Sequence, residues 1–240
     1  MSDEILKECA LCRLGRITYS DASALQQKLV QDRFEEKIGD VLLILEHPPT
    51  ITLGKFAKAD NILLPSDALK EKGIAVHASN RGGDVTFHCP GQLIIHPILD
   101  LRKRPGNLRG YITDLEEVAL RVLQGYGIAA ERWPEHPGLW VDAKQIGAIG
   151  LYFSHGISMH GLSLNVNPDL SSFEVINLCG LPGMTATSIA HQTGHQDIAM
   201  QEVESRIIVA FSDVFHVMLK PVAREQLEGG SFEPETARVV

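Results

Sequence analysis

The sequence predicts an α+β fold, a mixed β-sheet core with flanking helices, forming a single domain over residues 1–220 followed by a polar tail over 221–240. Three observations carry that reading. Residues 138–166 hold closely spaced apolar runs parted by polar turns, the pattern of two adjacent hairpins. Apolar residues recur at helical spacing over 22–36, from Asn107 to the glycines at 125 and 127, and over 197–219. Strand-like and helix-like stretches do not alternate regularly, which disfavours a wound βαβ sheet.

Along the chain, residues 13–19 read as a strand, and Ser20 or Asp21 is placed to cap a helix carrying Ala24, Leu25, Leu29 and Phe34. Residues 41–45 form a continuous apolar run, expected to be a buried strand. His47-Pro48-Pro49 breaks it before a second short run, Ile51 to Leu53. A short helix is expected over 65–72, then strands over 74–78 and 92–99. The helix starting near Asn107 presents Leu115, Val118, Val122 and Leu123 to a sheet. Asp142-Ala143 and His155-Gly156 are the expected turns of the hairpin region. Ile207, Phe211 and Phe215 pattern the last helix, which Pro221 is expected to end. From Arg224 onward, Glu225, Glu228, Gly229, Gly230, Glu233 and Pro234 predict a mobile polar tail.

Composition narrows the function. With 240 residues, 44% apolar and 22% charged, the chain can bury a full core. No apolar run reaches the roughly 18 residues of a spanning helix. Asp3, Glu4 and Glu8 do not fit a signal peptide, so a cytoplasmic protein without membrane partners is expected. Four cysteines suit a reducing compartment better than a disulfide framework. A net charge of -8 argues against nucleic acid. Arg102, Lys103, Arg104 and Arg109, near Pro105 and Gly106, are either a local positive patch or a solvated loop.

The chemistry centres on Cys179, set between Leu178 and Gly180 ahead of Pro182 and Gly183, in a segment that regular structure cannot absorb. Its alternative role is a buried structural thiol. An ordinary thiol is only a few per cent ionised at neutral pH, so a nucleophile needs a cation or helix N-terminus beside it, and Lys144 is the candidate cation. The run Arg81-Gly82-Gly83-Asp84-Val85-Thr86-Phe87-His88 lets backbone approach a ligand closely, although its spacing fits neither a phosphate loop nor a dinucleotide fingerprint. Ala148-Ile149-Gly150 and Gly161-Leu162-Ser163 place small residues on strands, for a slot or for close strand packing. Cys9-x-x-Cys12 has no second ligand pair for zinc, and His191 and His195 are separated by Gly194, so no metal site is expected.

These residues also carry a resemblance. Glu46-His47-Pro48-Pro49 with Thr52-Leu53-Gly54, Arg81-Gly82-Gly83 through Gln92, Gly138-Leu139-Trp140-Val141, Ala148-Ile149-Gly150, His160-Gly161 with Leu164-Asn165-Val166, and Cys179-Gly180 occur in order from about residue 14 to 188. The chain thereby resembles the lipoyl(octanoyl) transferases of the biotin/lipoate protein ligase-like superfamily. The resemblance implies that fold and a ping-pong acyl transfer without metal or nucleotide. The donor would be octanoyl-acyl carrier protein. The acceptors would be lysines on lipoyl domains of 2-oxoacid dehydrogenase complexes and on the glycine cleavage H protein. Cys179 would carry the acyl group, Lys144 would activate the thiol and relay protons, and Arg81 to His88, Ala148 to Gly150 and Gly161 to Ser163 would form the acyl pocket.

Several positions depart from the family pattern: Cys89 for a glycine, Leu178 for a proline, Leu151 for an arginine. The family's lysine directly precedes the apolar residue, whereas Gln145 separates Lys144 from Ile146. Aligned without a gap, Gln145 would occupy the catalytic position; a bulge at Gln145, offset by the short turn at Asp142-Ala143, is expected to return Lys144 to the site. An ATP-dependent lipoate ligase, or a non-catalytic acyl- or carrier-binding protein, are the alternatives.

Overall fold

The computed structural model describes residues 6–104 and 106–229. Asp3, Glu4, Pro105, Gly230, Glu233 and Pro234, on which expectations rested, lie outside the described residues. The strands are β1 (Lys7–Arg16), β2 (Asp40–Glu46), β3 (Thr50–Leu53), β4 (Ala75–Ala78), β5 (Val85–His88), β6 (Gln92–Ile98), β7 (Glu131–Trp133), β8 (His136–Val141), β9 (Lys144–Ser154), β10 (Ile157–Asn165) and β11 (Val217–Pro221). Eight of them form a mixed sheet in the order β11-β1-β2-β6-β10-β9-β8-β7, parallel from β11 to β2 and antiparallel beyond. A second sheet, β4-β3-β5, lies apart from it in the ladder. The helices are α1 (Tyr19–Phe34), α2 (Ser66–Glu71), α3 (Leu108–Gln124), α4 (Ile189–Thr193), α5 (Met200–Phe215) and α6 (Arg224–Glu228).

Period-two alternation sorts the core into two layers. Leu42 and Ile44 of β2 and Leu93 and Ile95 of β6 pack with Leu115, Val118 and Val122 of α3 and Phe211 of α5. Leu43, Leu45 and Ile94 face the other way, toward Leu25 and Leu29 of α1. Each such side chain contributes about 1.5–3 kcal/mol when fully buried. A third cluster, with Ile51, Phe87 and Phe173, fills the space beneath the small sheet. No helix of the described residues is long and apolar enough to cross a membrane.

Four expectations change. Thr18, not Ser20 or Asp21, caps α1, its hydroxyl accepting the Asp21 N–H at 3.2 Å. The glycine-rich run ends in a true strand, β5, paired to β3. The last long helix stops at Phe215, because His216 turns left-handed (φ 50°) ahead of β11, which begins at Val217. After residue 220 the chain is not simply a polar tail: α6 buries Leu227 completely against the α1 layer, and Lys28 Nζ donates to its carbonyl at 3.2 Å. Charge density dominates that segment's composition, and one leucine anchors it.

Candidate active site

Cys179 sits in a tight turn, Leu178–Gly180, with left-handed backbone (φ 54°, ψ 21°), a conformation that costs a non-glycine residue energy and recurs at functional sites. The turn is held from below. Asn177 bonds Asn61 through backbone (2.9 Å) and side chain (3.2 Å), and Asn61 Nδ2 donates to the Asp84 carboxylate at 2.9 Å. A Cβ on Gly180 would lie 2.6 Å from Asp84 Oδ2, so only glycine lets the turn close over that carboxylate. Cys9, Cys12 and Cys89 are buried, and Cys179 alone is partly exposed. Burial pushes Cys12 up to about 11 and Cys89 up to about 12. Cys9 and Cys12 face opposite core layers and so form no redox or metal pair.

The group aimed at the thiol is Gln145, 3% exposed, whose Nε2 lies 3.1 Å from Cys179 Sγ. Its backbone is clamped by the segment after the nucleophile turn: Gln145 N–H donates to the Thr185 carbonyl and Thr187 N–H to the Gln145 carbonyl, both at 2.9 Å. Lys144 is exposed, so the expected catalytic lysine is corrected. A bulge does occur, but its extra residue is Ile146, beyond Gln145. Lys144 and Gln145 stay in register with Val141 and Trp140, and adjacent strand residues point to opposite faces.

Arg81, 7% exposed, donates to Thr52 Oγ1 (3.1 and 2.9 Å), to the Thr52 carbonyl (2.7 Å) and to the Gly82 carbonyl (2.9 Å). Its stem crosses Gly150, where a Cβ would stand 2.7 Å from Arg81 Cδ. Burial raises the Cys179 pKa, while the Gln145 hydrogen bond and the Arg81 guanidinium lower it and Asp84 raises it further.

Arg81, Gly82, Gly83, Asp84, Val85, Thr86, His88, Ala148, Ile149, Gly150, Gly161, Leu162 and Ser163 line one cavity of about 440 Å³ with Cys179. Phe87 is corrected: it packs on Phe173 (5.4 Å between ring centroids) in the third core cluster, since alternation along β5 turns it away from Thr86 and His88. Sequence reasoning left Gln145 as the ungapped alternative to Lys144, and the structure puts Gln145 beside the thiol; sequence reasoning gave no role to Tyr19, Thr52, His47 or His96, all of which line the cavity. The signal for His47 was its Pro-Pro neighbour; nothing flagged His96.

The cavity's polar wall is ordered by hydrogen bonds. His47 Nδ1 donates to the Ile17 carbonyl (2.7 Å), His88 Nδ1 to Gln92 Oε1 (2.6 Å), and His160 Nε2 meets Asn80 Oδ1 (2.6 Å). Burial lowers all of these rings, His88 to about 3 and His160 to about 4, so they are uncharged at neutral pH. No group of three or more His, Cys, Asp or Glu side chains among the described residues is arranged to hold a metal. Of the expected positive patch, Arg102 pairs with Asp100, Lys103 with Glu36 and Arg104 with Asp40, so most of its charge is answered within the fold.

The model of the lipoyl protein ligase A/B catalytic domain matches residues 18–212. An octanoyltransferase of Chloroflexus aurantiacus is 45% identical over 205 residues, covering 84% of this chain and 92% of that one. One from Chloroflexus aggregans is 42% identical, covering 90% and 98%. A lipoate-protein ligase A solved with ATP superposes with a TM-score of 0.74 at 16% identity, over 93% of this chain and 92% of that one. A bipartite lipoate protein ligase from Thermoplasma acidophilum, described with its E2 lipoyl domain, gives 0.72 at 16%, over 93% and 90%. The two structures share the fold.

Proposed function

Since this chain belongs to the lipoyl protein ligase A/B catalytic domain family, we propose that it transfers an octanoyl group from octanoyl-acyl carrier protein to a lysine of a lipoyl domain through a Cys179 thioester. The observation that carries this reading is the Cys179 thiol: partly exposed, held left-handed, hydrogen-bonded by Gln145 and opening on an acyl-sized cavity. Burying the seven-carbon tail of an octanoyl group there contributes on the order of 5 kcal/mol at about 0.8 kcal/mol per carbon.

Proton balance fits a site without a lysine. Cys179 Sγ attacks the thioester carbonyl, the bond to the carrier's sulfur breaks, and the proton from Cys179 leaves on the carrier thiol. The neutral acceptor amine then attacks the acyl-enzyme, the bond to Sγ breaks, and the amine's proton returns to Cys179. Over the cycle, no further base is consumed once the amine arrives uncharged. Gln145 cannot titrate; it donates to sulfur as negative charge develops, and the Arg81 guanidinium favours that charge across the cavity. The thioester is already activated, so transfer needs no ATP. Intact-mass measurement after mixing with octanoyl-acyl carrier protein tests the reading: one octanoyl adduct is expected on the parent and none on Cys179→Ala. An unmodified parent would reject it.

A further inference from the structure

Phe56 is the most exposed large apolar side chain among the described residues, at 67%, and it is displayed on a fixed turn after β3. Lys55 N–H donates to the Arg81 carbonyl (2.9 Å), Phe56 N–H to the Gly83 carbonyl (3.1 Å), and Ala57 N–H closes the turn on the Gly54 carbonyl (3.0 Å). Lys58 N–H donates to Asp84 Oδ1 (3.3 Å), on the carboxylate whose other oxygen lies against Gly180. A Cβ on Gly54 would collide with the Gly83 carbonyl oxygen, so the turn is fitted closely to the glycine-rich run. That run walls the Cys179 cavity, and the turn stands at the cavity's rim.

Lys55 and Lys58 flank the ring, and both are exposed. Basic side chains elsewhere are mostly answered by an acid, as Arg102 is by Asp100 and Arg121 by Glu117. Neither of these two lysines has an ion-pair partner among the described residues. Asp60 is the one acid between residues 54 and 61, so the turn is net positive on a chain of net charge -8. An apolar ring held in water by a fixed backbone, between two unanswered cations, suits a partner with an acidic face around an apolar centre.

We propose that the Lys55-Phe56-Ala57-Lys58 turn is the docking surface for the acyl donor, an acidic carrier protein whose thioester enters the cavity past Asp84 and Gly180. The inference rests on the acyl-transfer reading and adds where the first partner binds. Charge at the rim favours the donor over the acceptor: a thioester is neutral, whereas an acceptor brings its own lysine past two ammonium groups that oppose it. Phe56 supplies the contact that is desolvated when the carrier seats, and a turn already fixed loses little freedom in binding. The lysines act over a longer range by speeding encounter, and their effect fades with salt.

The test compares two donors on the full chain: octanoyl-acyl carrier protein, and octanoyl-N-acetylcysteamine, which has no carrier to dock. Loading of Cys179 below saturation is followed by intact mass on the parent, Lys55→Glu/Lys58→Glu, Phe56→Ser and Lys7→Glu/Lys72→Glu. The last makes the same charge change at exposed lysines away from the turn, Lys7 on β1 and Lys72 toward the Thr50 end of the small sheet. At low salt, loading from the carrier is expected to fall about tenfold in Lys55→Glu/Lys58→Glu and about 3–10-fold in Phe56→Ser, while the small thioester loads every variant within about 2-fold of the parent. Salt at about 0.5 M should narrow the gap for the charge variant and leave that for Phe56→Ser. A misfolded variant loses both donors, so the ratio of the two separates docking from fold. Equal loss with both donors, no loss with the carrier, or as large a loss in Lys7→Glu/Lys72→Glu would overturn the inference. So would normal loading from the carrier with slowed transfer from the acyl-enzyme to a lipoyl domain, which would make the turn the acceptor's surface. If neither donor loads the parent while iodoacetamide still alkylates Cys179, the acyl-transfer reading fails as well.

Discussion

Gln145→Ala removes the one hydrogen bond to the nucleophile, and its effect follows from the geometry. The donor stands 3.1 Å from sulfur, and a hydrogen bond to a charged acceptor contributes about 1.5–3 kcal/mol. Losing it raises the thiol pKa, and that interaction free energy corresponds to about 10–100-fold less thiolate at neutral pH. A more basic thiolate is a better nucleophile, with a Brønsted slope near one half, so the net loss in acylation rate is about 3–10-fold. Water reaching the partly exposed Cys179 favours the lower end. The assay is the pH dependence of Cys179 alkylation by iodoacetamide, together with acylation by an octanoyl thioester, using Cys179→Ala to subtract other thiols. The alkylation midpoint should move to higher pH in Gln145→Ala, while exposed Lys144→Ala stays within about 2-fold of the parent. A silent Gln145→Ala beside an inactive Lys144→Ala would refute this assignment.

Gln145→Lys places an ammonium at the same position and should move the alkylation midpoint below the parent's; an unchanged midpoint would mean the side chain does not reach sulfur. Gly180→Ala forces a Cβ to within 2.6 Å of Asp84 Oδ2 at a φ of 73°, so a stability loss of roughly 1–2 kcal/mol from the left-handed backbone alone and a large drop in Cys179 loading are expected in urea titration and mass assays. Buried His88 (about 3) and His160 (about 4) bind protons less readily folded than unfolded. Their stabilisation is therefore complete above about pH 6.5 and lost as pH falls toward those values. Near pH 5 each should have lost roughly 2 kcal/mol, measurable as a falling urea midpoint; a flat midpoint between pH 7 and 5 would contradict the buried neutral rings.

The core was legible because apolar alternation reports burial directly: the two faces of β2 and β6, the hairpins at Asp142-Ala143 and His155-Gly156, and the long α3 all follow from residue pattern. The sixteen site positions read from sequence place all but Lys144 and Phe87 around the cavity. What sequence could not supply is register. Whether Lys144 or Gln145 faces Cys179 depends on where the bulge falls, and Gln145 is clamped by Thr185 and Thr187, far along the chain. Tyr19, the first residue of α1 after the Thr18 cap, lines the cavity, and the choice of Thr18 over Ser20 as cap lies between neighbouring hydroxyls that composition does not rank. His96 was hidden inside the apolar run from Leu93 to Leu99, where a histidine reads as one more buried strand residue.

The most direct test isolates the proposed intermediate. Acyl-enzyme freed from its carrier is mixed with a lipoyl domain in the absence of ATP, and both masses are followed through one turnover. The octanoyl group should leave Cys179 and arrive, one for one, on a single lysine of the lipoyl domain. An acyl group that stays on Cys179, or that moves only when ATP is supplied, would contradict a cysteine-borne transfer.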